Sequence, residues 1–154
     1  MTPEQYDSAT PFVHSLVKVE MHSENLKTKL PFAINQIKKN IPVDQNQKKL
    51  LSAAKTLLSK AASTFKTVRA GIDIPSKEQQ AMSMAQFKEK FAKVIKSSRS
   101  ASDWGVKFFA AYQNLKKAGW APSTNELLVI VCSDYSKELI AAVSAAQVDY
   151  ATLK

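Results

Sequence analysis

The chain has 154 residues, 45% of them hydrophobic, with three glycines, one cysteine and a formal net charge of +9. That length and apolar content can bury one core, so a single domain over residues 1–154 is expected. So few glycines leave little material for phosphate loops or tight-turned β architectures, and one cysteine cannot form an intrachain disulfide, which removes the stapled secreted scaffolds.

The opening "MTPEQYDSATP" is polar and acidic, and no apolar run approaches the roughly 20 residues of a membrane span. A soluble, cytoplasmic protein is expected. Pro11 is then expected to open a helix that places Phe12, Leu16, Val19, Leu26 and Leu30 on one face, with Pro31 closing or kinking it and residues 32–40 as a short continuation. After "NIPVD", Asp44 is a good N-cap for the clearest helix of the chain, in which Leu50, Ala54, Leu57, Ala61, Phe65 and Val68 repeat at three and four residues. Gly71 supplies its C-terminal stop.

"IDIPS" reads as a connector, and Ser76 with Gln79 forms a capping box for a helix to about Ser98, carrying Met84, Phe87, Phe91, Val94 and Ile95 on its face. The run "SSRSAS" reads as a break. Ser102 or Asp103 then caps a helix whose stripe is Trp104, Phe108, Tyr112 and Leu115, and whose last turn carries Lys116 and Lys117 where the helix dipole favours cations. Past "WAPST", the apolar run "LLVIVC" suits a buried strand or a buried helix equally, because it has no period to read. A strand needs a pairing partner, and the chain offers no second candidate, so a buried helix follows, with "SKELIAAVSAAQVDYATL" as the last helix. The fold class expected is an all-α bundle of five to seven helices.

Catalytic motifs are missing from the sequence. His14 and His22 stand eight residues apart, more than two helical turns, which is too far for one metal or one dyad. No HExxH, paired CxxC, GxSxG or GxxxxGK[ST] occurs, and Cys132 inside an apolar run is a poor nucleophile, because burial raises a thiol's pKa. The expectation is a non-enzymatic protein with no catalytic residue, no cofactor and no metal.

Charge points to binding instead. Residues 1–118 hold 20 basic and 9 acidic side chains, a net +11, whereas residues 119–154 hold 2 and 4, a net −2. Between Gln45 and Ala70 stand six basic residues and no acidic one, and Lys48, Lys55 and Lys66 form a stripe opposite the apolar face, about 27 Å long at 1.5 Å per residue. Arg69 ends that helix, and Lys93, Lys96 and Arg99 extend the basic character into the next. Trp120, just past a helix and beside Pro122, is the aromatic best placed to be an exposed anchor. These eight residues are the candidate partner-binding set: Lys48, Lys55, Lys66, Arg69, Lys93, Lys96, Arg99 and Trp120. An acidic protein surface is the expected partner. The alternative is a nucleic acid held through its backbone phosphates, although a face so rich in lysine and poor in arginine suits neither base edges nor bidentate phosphate contacts.

Overall fold

The computed structural model describes residues 1–40, 73–117 and 127–154, together with residues 45, 46, 48, 49, 52, 56, 66 and 69–71. Within these, four helices have defined bounds: α1 (Pro3–Asn40), α2 (Ser76–Ala81), α3 (Met84–Lys117) and α4 (Leu127–Ala151). The described residues from 45 to 71 are helical too, and no strand occurs among the described residues. The protein is therefore the expected all-α bundle. The expected stripe Leu50, Ala54, Leu57, Ala61, Phe65 and Val68, and the side chains of Trp104 and Leu115, lie outside the described residues.

Helix α1 starts eight residues before the expected Pro11. A reciprocal cap sets the start: the Gln5 N–H donates to Thr2 Oγ1 at 3.1 Å, and the Thr2 N–H donates to Gln5 Oε1 at 2.9 Å. Pro3 stands at the first helical position, where its missing N–H costs nothing, and Glu4 complements the dipole. Pro11 and Pro31 lie inside the helix, and neither ends it. Each removes one internal hydrogen bond, but Ala9, Phe12, Leu16, Val19, Leu26, Leu30, Ala33 and Ile34 form one buried face that runs past both. Tertiary burial of that face outweighs two lost backbone bonds.

The capping box expected at Ser76 and Gln79 does not form. Pro75 precedes α2 without any side-chain cap, and the buried Gln79 side chain reaches back to donate to the Ile74 carbonyl at 2.9 Å. The chain then turns extended at Met82, and the box appears one step later. The Gln86 N–H donates to Ser83 Oγ at 3.2 Å, and the Ser83 N–H donates to Gln86 Oε1 at 2.9 Å. From there α3 runs unbroken through "SSRSAS". Its serines bond backwards, Ser98 Oγ to the Val94 carbonyl at 2.8 Å and Ser102 Oγ to the Arg99 carbonyl at 2.9 Å, so their hydroxyls stay within the helix instead of ending it. Neither Ser102 nor Asp103 is a cap.

The run "LLVIVC" is helical and continuous with the expected last helix, so one element of 25 residues replaces two. Its buried side is Val129, Cys132, Ser133, Ser136, Leu139, Ala142, Val143 and Ala146. Helix α4 packs mainly on α1 and next on α3. It runs antiparallel to both, as Ser15–Asp149 and His22–Glu138 show for α1, and Lys88–Tyr150 with Gly105–Ser136 for α3. No helix among the described residues is long and apolar enough to cross a membrane.

The two ends of the chain are tied to the α2–α3 junction. The Met1 ammonium donates to the carbonyls of Gln80 and Met82, Lys88 Nζ donates to the Leu153 carbonyl at 3.2 Å, and the Tyr150 hydroxyl donates to the Lys88 carbonyl at 2.7 Å. Above this junction sits an aromatic cluster, with Phe12 edge-on to Phe91 at 5.4 Å and to Phe87 at 6.2 Å, and tilted against Tyr150 at 5.6 Å. Because Phe12 is fully buried and joins three elements, Phe12→Ala is expected to cost about 3–5 kcal/mol in equilibrium urea unfolding.

Candidate functional site

The described basic residues of the sequence-derived set, taken with Lys88 and Lys90, separate into three groups once the helices are placed. Lys88, on α3, turns inward to the Leu153 carbonyl and lies 5.8 Å from the Tyr150 ring, so it leaves the charged surface. Arg69 and Lys90 are exposed but carry carboxylates: Arg69 Nε is 3.6 Å from Asp73 and 4.0 Å from Glu20, and Lys90 Nζ is 3.9 Å from Glu78. Lys48, Lys66, Lys93, Lys96 and Arg99 are exposed and form no ion pair among the described residues.

Two members of that last group, from separate helices, come together. Lys66 and Lys93 line one cleft of about 360 Å³ with Lys90, Ala70, Gly71 and Val94. A second cleft, of about 490 Å³, flanks the same α3 ridge and is lined by Gln86, Glu89, Lys90 and Lys93. Lys90 and Lys93, three residues apart, thus form a cationic ridge between two depressions. Lys96 and Arg99 continue along α3 outside either lining, and Lys48 lies apart from both. Lys55 and Trp120 lie outside the described residues.

Gly71 makes the cleft possible. Read from the sequence as a helix stop, it is itself helical and buried, and what it supplies is room. A Cβ at this position would lie 2.7 Å from Val94 Cγ2 and 3.3 Å from Phe91 Cε1. Val94 is β-branched and has one strongly preferred rotamer in a helix, so it cannot swing aside cheaply. The glycine therefore lets the two helices approach until Lys66 and Lys93 share one depression. Lys90, Ala70, Gly71 and Val94 are absent from the sequence-derived set, and the only signal that could have found them was the Gly71 position against an apolar α3 face. The pairing of those two positions is a tertiary fact.

The two histidines stand apart, and His22 shares a cleft of about 500 Å³ with Ser15, Lys18 and Glu138. His14 is exposed on a small cleft of about 180 Å³ with Tyr6, Thr10 and Ser76, while His22 is buried at the α1–α4 contact, its Nδ1 3.5 Å from Glu138 Oε2 and its ring 5.8 Å from that of Tyr135. The His22–Glu138 approach falls short of hydrogen-bond geometry, and Nδ1 has no hydrogen-bond partner. Cys132 is fully buried, and burial pushes its thiol up to about 12, against a smaller lowering by Lys29. The thiolate is the reactive form, so this cysteine stays protonated and inert at neutral pH. Among the described residues no three His, Cys, Asp or Glu side chains gather as metal ligands would. Comparison with protein-family models, with curated proteins and with solved structures gives no match.

Two outcomes are expected of this arrangement. Gly71→Ala should destabilise the fold by about 1–3 kcal/mol, the usual cost of overpacking, and Val94→Ala in the same chain should recover part of that loss in a double-mutant unfolding cycle. Iodoacetamide should leave Cys132 unlabelled at pH 8 in the folded protein and label it readily in urea, as followed by mass spectrometry.

Proposed function

We propose that the protein is a non-enzymatic helical binding protein, of the adaptor, inhibitor or effector kind, that docks on an acidic protein surface through its lysine-rich face. The observation that carries this reading is the meeting of Lys66 and Lys93 in one cleft with neither ammonium paired among the described residues. Like charges brought together on a surface raise the local positive potential, which a complementary anionic surface relieves and which steers its approach. Folding gains nothing from that juxtaposition, so a binding role accounts for it better than stability does. A reducing, cytoplasmic setting fits a chain whose one cysteine is a core side chain.

A protein partner fits the lining better than a nucleic acid. Single-stranded nucleic acids are held by aromatic platforms interleaved with cations, and among the described residues no aromatic side chain lines the Lys66–Lys93 cleft. The lysines also lack the arginine fork suited to phosphates and base edges.

Lys66→Glu with Lys93→Glu tests the reading. Both side chains are exposed, so the pair of substitutions should change stability by no more than about 1 kcal/mol, while retention of the partner from a nuclease-treated lysate of the source organism should fall at least about tenfold. Wild-type retention by the folded double variant would remove the main support of this function. Capture that disappears on nuclease treatment and declines linearly in log–log salt plots would assign the face to a phosphate backbone instead.

A further inference from the structure

The cleft's own chemistry says more about its occupant than net charge does. Its neighbours already exhibit what these helices hold: Lys90 takes the Glu78 carboxylate, and Arg69 takes those of Asp73 and Glu20. Lys66 and Lys93 are the two cleft cations without such a partner among the described residues, and the other described residues of the lining besides Lys90, namely Ala70, Gly71 and Val94, are uncharged. We infer that the cleft receives an acidic helical segment of a partner protein, one apolar side chain of which seats on the Ala70–Gly71–Val94 floor while carboxylates a turn to either side pair with Lys66 and Lys93. This rests on the reading that the lysine-rich face docks on a protein, and adds which part of that face is used and by what chemistry.

Three features point to this occupant. The ammonium of lysine is a compact point charge with three donors, which pairs with carboxylates on flexible side chains without demanding a planar fork. The apolar floor would be left wetted under a bare phosphate chain, whereas burying an aliphatic side chain there adds a hydrophobic contribution that salt does not screen. A cleft of about 360 Å³ between two helices is also the setting in which a third, amphipathic helix docks, with anchors spaced by helical turns.

Filling the cleft without altering its charge tests the inference. Ala70 is exposed and lines the floor, so Ala70→Trp should fold normally by circular dichroism and unfolding, and Ala70→Gln serves as a second, smaller and uncharged block. The probe is a fluorescein-labelled helical peptide with one Leu flanked on its face by Glu residues three or four positions away. Its controls are a peptide of the same composition with the Leu on the opposite face, and a labelled oligonucleotide. In fluorescence anisotropy the wild-type protein should bind the first peptide at least about fivefold tighter than its control. Ala70→Trp should weaken that binding about tenfold or more, with oligonucleotide binding changed by less than about twofold.

Equal binding of the two peptides, no binding of either, or undiminished binding by both blocked variants would overturn the inference, as would an oligonucleotide whose binding the block removes. The two readings can fail separately. If Lys66→Glu with Lys93→Glu loses the native partner while Ala70→Trp keeps it, the lysine-rich face still docks and the cleft assignment falls; if both variants keep it, both readings fall.

Discussion

Phe91 holds the bundle and the cleft in one piece of packing. On one side its ring meets Phe12 edge-on and Phe87 tilted at 4.5 Å, and on the other it lies against the position of Gly71. Core aromatics sit in fixed rotamers at near-crystalline density, so the distance between α3 and the helical residues around Gly71 is set by this ring and by Val94. The cationic cleft above them inherits its width from the hydrophobic core beneath, and the lysines themselves decide only its charge.

The same core explains why α1 tolerates two prolines. A helix held by propensity alone would end at either one, because each removes a backbone bond and crowds the preceding turn. Here α1 is clamped between a capped start, an antiparallel α4 and the tied chain ends, and eight fully or nearly buried apolar side chains lie along its length. Losing the helix at Pro31 would expose Leu30, Ala33 and Ile34, whose burial is worth more than one hydrogen bond.

Electrostatics follows the packing in turn. A formal charge of +9 says that cations are abundant and says nothing of which are available. Packing draws Lys88 into the chain-end clamp, pairs Lys90 and Arg69 with carboxylates from other turns and helices, and leaves Lys66 and Lys93 lining one cleft. Exposed ion pairs add little stability, so their main effect here is to decide which cations stay uncompensated, and two of those, Lys66 and Lys93, share one depression.

Local chemistry by itself determined the class of the fold. Scarce glycine, three-and-four spacing of apolar residues and the missing partner for a lone strand were enough to specify an all-α bundle, to make "LLVIVC" a helix, and to place Cys132, Phe87, Phe91, Phe108 and Tyr112 in the core, because amphipathic periodicity is written residue by residue. Element boundaries were less legible. Two S/T-x-x-Q boxes, Thr2–Gln5 and Ser83–Gln86, compete with the Ser76–Gln79 spelling of the same motif, and what separates them is that Gln79 is buried and spent on the Ile74 carbonyl. The serine run reads as a break in one dimension and stays helical in three, since α4 packs along α3 and the hydroxyls find carbonyls a turn behind. Tertiary structure alone decided the candidate site: Lys66 and Lys93 stand 27 positions apart in the sequence, and only a glycine with no Cβ, opposite a valine that cannot move, brings their helices close enough to share a cleft.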